Sequence, residues 1–252
     1  MKPLKSVVYL SLAVGVLALF AVSVSLFWQD GGGTYTFMTL RGDPVVIYGQ
    51  GLYRYDSLLV GAGNRGVDLV TMALGIPLLL FSIVLYGRGS LRGALLLTGI
   101  QAFFLYIYAS FALGSAYNEL YLVYVALFSA SFFAIVLLLT SIPARDLFVN
   151  LSTRLPNRVI ATIMFITAFF TLILWIEAPL SSLIHGGPPA TLGHYTTLAT
   201  HSLDLAIIVP SLLFSAVMIL RRDPTGYLVA IPLLSILAML APALTAMTLR
   251  AR

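Results

Sequence analysis

The chain has no cysteine, which excludes disulfides, thiolate metal ligands and thiol catalysis. Charge is almost as scarce. Only 9 % of its 252 residues are Asp, Glu, Lys or Arg, against roughly 25 % in ordinary soluble domains. Fourteen basic and nine acidic side chains cannot coat a soluble surface of this size, so a soluble globular enzyme and a disordered chain are excluded. Lysine occurs only at Lys2 and Lys5, so no late helix carries a Schiff-base pigment. Histidine occurs three times, at His185, His194 and His201. Seven-helix zinc hydrolases spread their histidines over early and late helices, and this chain does not. No basic cluster interleaved with aromatics lies outside the apolar stretches, so nucleic acid is not an expected partner. No cofactor is expected either.

What remains is apolar: 60 % of the residues are hydrophobic. A bilayer core takes about 20 apolar residues per helix. Seven such stretches occur, at 6–28, 67–87, 94–114, 119–140, 159–179, 201–220 and 226–249. The first is longer than a signal-peptide core of roughly 7–15 residues and is read as a retained helix. The expected fold is an all-α membrane protein of seven transmembrane helices in a single domain. Its expected environment is a bilayer, as a multi-pass protein of the cytoplasmic membrane. Association with further copies of the chain stays open.

Orientation follows from the short loops. With the N-terminus inside, nine of the fourteen basic residues fall on the cytoplasmic side: Lys2, Lys5, Arg88, Arg92, Arg145, Arg154, Arg158, Arg221 and Arg222. Arg41, Arg54, Arg65, Arg250 and Arg252 fall outside. Asp146 and Asp223 lie inside, while Asp30, Asp43, Asp56, Asp68, Glu119, Glu177 and Asp204 lie outside or at outer helix ends. All three histidines share that face, where the chemistry is therefore expected.

Residues 29–66 form the large external segment. Thr34–Leu40 and Val45–Tyr48 flank the turn cluster Arg41-Gly42-Asp43-Pro44, which predicts a small external β-hairpin. Residues 51–60 mix aromatics and charges, as expected of a segment on the bilayer interface or of an anion- or sugar-binding lining. Arg54 and Asp56 are an expected pair, and Arg65 is expected near Asp68.

Two parts of the chain match each other. Pro77 to Ser82 aligns with Pro210 to Ser215, and in the same register Arg88 aligns with Arg221 and Gly93 with Gly226. The pattern predicts a parallel 3+1+3 repeat in which helices 1–3 correspond to helices 5–7, a plan also found among transporters. Asp68-Leu69 resembles Asp204-Leu205, three residues out of that register. Pro77 and Pro210 each remove a helix N–H in mid-span and are candidate hinges.

The ligand-binding candidates are Asp68, Asp204, His201, Glu119, Glu177, Arg65, Asn64, Arg54 and Tyr53. Asp68 and Asp204 are expected to open helices 2 and 6, as caps or as a carboxylate pair facing one cavity. Glu177 is expected to end helix 5, against the dipole. Gln101, Tyr106, Tyr108, Tyr121 and Tyr124 either line a polar cavity or cross-link helices. A metal held by His194, His201 and Asp204 is a lesser alternative, because the spacing follows no metal motif. The leading expectation is small-molecule transport or ligand binding at a polar site open to the outer face. The alternatives are an outer-leaflet intramembrane enzyme using His201 and Asp204 with Glu119 or Glu177, and a non-catalytic subunit or sensor.

The stretches GLYRYDS, GNRGVDLVT, RGSLRG, YNELYLVYVA, GGPPATLGHYTT, SLDLAIIVP and LRRDPTGY together resemble a widespread set of uncharacterised prokaryotic integral membrane proteins. The resemblance runs from about Gly51 into helix 7. It implies a seven-helix inner-membrane protein and brings no activity, cofactor or ligand. His201 departs from the glutamine expected there, which argues against a shared histidine role.

Overall fold

In a computed structural model, residues 2–142 and 155–250 are described. Arg145, Asp146, Arg154 and Arg252 lie outside these residues. Among the described residues, seven helices are long and apolar enough to cross a membrane. They are α1 (Lys5–Phe27), α2 (Leu58–Gly87), α3 (Leu91–Gly114), α4 (Tyr121–Ser141), α5 (Asn157–His185), α6 (Ala199–Leu220) and α7 (Pro224–Arg250). The expected all-α, seven-helix architecture is the one observed.

Most helices run beyond their apolar stretch. The largest difference is α2, which starts nine residues before position 67 because Ser57 caps it, its hydroxyl accepting from Val60 N–H at 3.4 Å. Asp68 therefore lies inside α2 and does not open it. α5 continues through Pro179 to His185 and stops where Gly186 adopts φ +76°. Glu177 accordingly lies inside α5 and does not end it. α6 begins at Ala199, which puts Asp204 one turn in.

The hairpin forms as its turn chemistry predicts. β1 (Tyr35–Met38) pairs antiparallel with β2 (Pro44–Ile47), Tyr35 opposite Ile47 and Met38 opposite Pro44. Gly42 takes φ +88° at the turn. Residues 51–60 do not lie flat on a surface. Gly51–Tyr53 is a buried 3₁₀ turn, and Leu52, Tyr53 and Asp56 are each at most 2 % exposed.

α3 is the centre of the bundle, packed on α2, α4 and α7. α1 packs on α2 and α4, while α6 packs on α5 and α7. Two apolar cores result. The larger is built chiefly from α1 to α4, around Leu79, Phe103, Phe104 and Leu127. The smaller is built from α5 to α7, around Met164, Leu212 and Ile219.

Local geometry recurs at a spacing of 133 residues. Both α2 and α6 contain one π-helical turn, Thr71–Gly75 and Asp204–Ile208. A proline follows each two residues later, Pro77 and Pro210. A proline ring clashes with the carbonyl one turn back, and the wider turn relieves that clash without ending the helix. Leu79 and Leu212, Ser82 and Ser215, and Tyr86 and Ile219 are all fully buried. The α2–α3 and α6–α7 turns share their hydrogen bonds. Gly89 N–H donates to Tyr86 O at 2.8 Å and Arg222 N–H to Ile219 O at 3.0 Å. Ser90 N–H donates to Leu85 O at 3.3 Å and Asp223 N–H to Met218 O at 2.9 Å.

In this register Asp204 matches Thr71, and Asp68 matches His201. The two aspartates are therefore not equivalent positions. Asp68 precedes its π turn by three residues, while Asp204 begins its own.

Candidate functional site

The two carboxylates buried inside the bundle, Asp68 and Asp204, lie toward the hairpin end, on two sides of α3. On the first side, Asp68 is 2 % exposed and accepts hydrogen bonds from Tyr53 O–H at 2.6 Å and from the Ser25 hydroxyl. These partners come from different elements: Ser25 from the end of α1, Tyr53 from the 3₁₀ turn. Tyr108 and Tyr124 stack beside them at 5.9 Å, and Phe111 lies edge-on to both Tyr53 and Tyr124. The Tyr108 hydroxyl is buried within electrostatic reach of Asp68, with no hydrogen-bond partner among the described residues. Further along the same four helices, Gln101 Nε2 donates to Ser11 Oγ at 2.9 Å. Thr71 Oγ1 and Gln101 Oε1 are buried without partners among the described residues. A polar column thus runs through the α1–α4 half. A carboxylate in a span is costly and here faces the bundle interior, as functional intramembrane acids do.

On the other side of α3, Asp204 accepts from Tyr106 O–H at 2.9 Å, with the Trp175 indole as its other polar neighbour. The His201 ring packs on Trp175, 4.3 Å between centroids. Tyr106 and Tyr108, two residues apart on α3, thus point to different carboxylates. Asp68 and Asp204 do not face one shared cavity, because α3 stands between them. Next to Tyr106 lies an apolar cavity of about 320 Å³ bounded by α3, α4, α6 and α7. Ala102 and Ala109 form its inner wall, with Phe128 and Phe132 on α4, Ile207 on α6 and Pro232 on α7.

A cap of loops covers the hairpin end. Asp56 is its buried anchor, accepting from Ala116 N–H at 2.7 Å and Tyr195 O–H at 2.8 Å. Tyr195 also accepts from Ser57 N–H at 3.1 Å. One carboxylate therefore ties together three loops. Burial pushes its pKa up to about 6, and the two hydrogen bonds pull the other way. His194 lies against Tyr195 and Phe37, and burial lowers its pKa. Arg41 donates to Gly193 O, fastening the hairpin to the α5–α6 loop.

The expected Arg54–Asp56 pair does not form. Arg54 reaches Glu119 instead, its guanidinium over the Trp28 ring at 5.2 Å and the Tyr55 ring at 4.8 Å. Partial burial raises the Glu119 carboxyl, but Arg54 outweighs it and holds the group below the usual carboxylate range. Arg65 donates to Leu26 O at 3.1 Å, satisfying the end of α1, and to Tyr48 O–H at 3.4 Å. Asn64 Nδ2 donates to Ser115 Oγ at 3.0 Å. Glu177 stands apart from the other acids, exposed in a cleft of about 210 Å³ with Ser181 and His185. Among the described residues no group of three His, Asp or Glu side chains converges as a metal site, so His194, His201 and Asp204 do not form one. Pro77 and Pro210 lie on exposed faces of α2 and α6, opposite the core.

Ser25 and Tyr195 were not among the sequence candidates. Ser25 had a signal: it continues the stripe Ser11, Val14, Ala18 and Val22 that α1 buries. Tyr195 had none, because its partner lies 139 residues away. No family model, curated protein or solved structure matches the chain.

Proposed function

We propose that the protein is a small-molecule membrane transporter with Asp68 at its coupling site. The observation that carries this reading is the buried Asp68 inside a span, tied to Ser25 and Tyr53 beside the unpaired Tyr108 hydroxyl. Changing the charge of such a group alters the balance between packings of the three elements that meet there. The site is closed under the cap, and a solute reaches it when the cap or the hinges move. α2 and α6 are the moving helices, each bending at its π turn and proline. Helices 1–3 and 5–7 descend from one duplicated unit, with α4 as connector. The hairpin end faces outward from the cytoplasmic membrane of a prokaryote, as the basic loops at the other end direct.

The absence of cysteine makes a direct test clean. Spin-label pairs are introduced at Leu59 and Ser202 on the hairpin end, and at Gly87 and Leu220 on the other. Distances are measured in nanodiscs at about pH 5 and about pH 8. The expected result is that one end widens as the other narrows, and that Asp68→Asn abolishes the change. A single distance distribution at both ends, unaffected by pH, overturns the reading.

A membrane subunit or sensor is the second reading. It is favoured by the hairpin's side chains, among which Leu40 is fully exposed and Met38 is 58 % exposed.

A further inference from the structure

We infer that the cavity between α3, α4, α6 and α7 is a side-entry site for one acyl chain of a bilayer lipid. It is separate from the Asp68 site and does not depend on transport. Every lining residue lies within a membrane-spanning helix, so hydrocarbon is the medium outside it. Two lining residues are strongly exposed, Phe132 on α4 at 46 % and Ile207 on α6 at 54 %. The mouth therefore lies between these helices and faces sideways.

Size and polarity select the occupant. The volume of about 320 Å³ is far above the voids of a close-packed interior. Water does not fill so apolar a space, because a buried water takes two to four polar partners. The Tyr106 hydroxyl is turned to Asp204. A helix of a partner protein is about 10 Å across and does not fit such a volume. A flexible hydrocarbon chain fits it and is continuous with the surrounding bilayer. The chain would lie along Leu203, Ile207 and Ile208, of which the last two belong to the α6 π turn. Occupancy therefore bears on the geometry of α6 and, through Tyr106, on the setting of Asp204.

The test uses the full chain in nanodiscs doped with a phospholipid bearing a photoactivatable diazirine at mid-acyl chain. Adducts are mapped by peptide mass spectrometry. The expected result is severalfold more labelling on 128–135 and 203–208 than on the lipid-facing stretch 163–176 of α5. Ala109→Phe and, more mildly, Ala102→Val fill the cavity and bring that excess down to the α5 level. If both variants fail to fold, the wild-type map alone decides. Labelling of the cavity segments no higher than that of α5 overturns the inference. So does an excess that both folded variants leave intact.

Discussion

Gly89 and Arg222, 133 residues apart, fill the same position in two turns of the same hydrogen-bond pattern. Both have positive φ, +75° and +57°, and Arg222 is the only non-glycine so placed among the described residues. Glycine enters this region freely, whereas an L-residue pays roughly 1–2 kcal/mol. The Arg222 side chain is exposed, so replacing it disturbs no packing. Arg222→Gly is expected to stabilise the protein by about 0.5–1 kcal/mol, after the entropic cost of glycine is subtracted. Gly89→Ala is expected to destabilise by about 1 kcal/mol. Thermal unfolding in detergent measures both, and an Arg222→Gly protein that melts below wild type contradicts the strain argument.

A second matched pair lies one turn further on. A Cβ on Gly93 would stand 2.5 Å from the carbonyl carbon of Leu85 and the nitrogen of Tyr86. A Cβ on Gly226 would stand 2.7 Å from the nitrogen of Ile219. Backbone is in the way at both sites, so the helices must separate. Gly93→Ala and Gly226→Ala are each expected to cost about 2 kcal/mol or more. Gly87→Ala meets nothing within 4 Å and serves as the control, with no loss expected. Equal melting temperatures for all three variants would refute the close-approach explanation.

The cap carries a pH dependence with a defined sign. Asp56 binds its proton more tightly folded, with a pKa of about 6, than at the ordinary aspartate value of 3.8. Its contribution is fully present below about pH 4 and is lost as pH rises through about 6, on the order of 3 kcal/mol in all. His194, held low by burial, opposes this as it charges in acid, and the comparison with a variant cancels it. Asp56→Asn keeps an acceptor for Ala116 and Tyr195 and has no charge to bury. Its stability relative to wild type is expected to rise between pH 4 and 6 and then level off. A constant difference across that range, by chemical denaturation at fixed temperature, would remove Asp56 as the titrating group.

The sequence and the structure divide the work by range. Long apolar runs located all seven spans, because the bilayer demands length and hydrophobicity and both are local. Arg41-Gly42-Asp43-Pro44 located the hairpin for an equally local reason. Asp68 was misplaced because the glycines and charges of 51–66 read as loop. The structure extends α2 back through Leu58, with Gly61 packed against Tyr48 and Arg65 satisfying the end of α1.

Composition and patterning alone thus determined that this is a seven-span membrane protein with most of its acids and all its histidines toward one face. The matched Pro, Arg and Gly positions were legible too, because turns and prolines impose local backbone geometry. Only the tertiary structure decided which polar groups meet. Asp68 found Ser25 and Tyr53, Asp204 found Tyr106, and Asp56 found Tyr195. A hydrogen bond between residues 43 or 139 positions apart depends on how helices pack, and helical periodicity carries no record of a partner. The same packing set α3 between the two intramembrane carboxylates and opened the apolar cavity beside Tyr106.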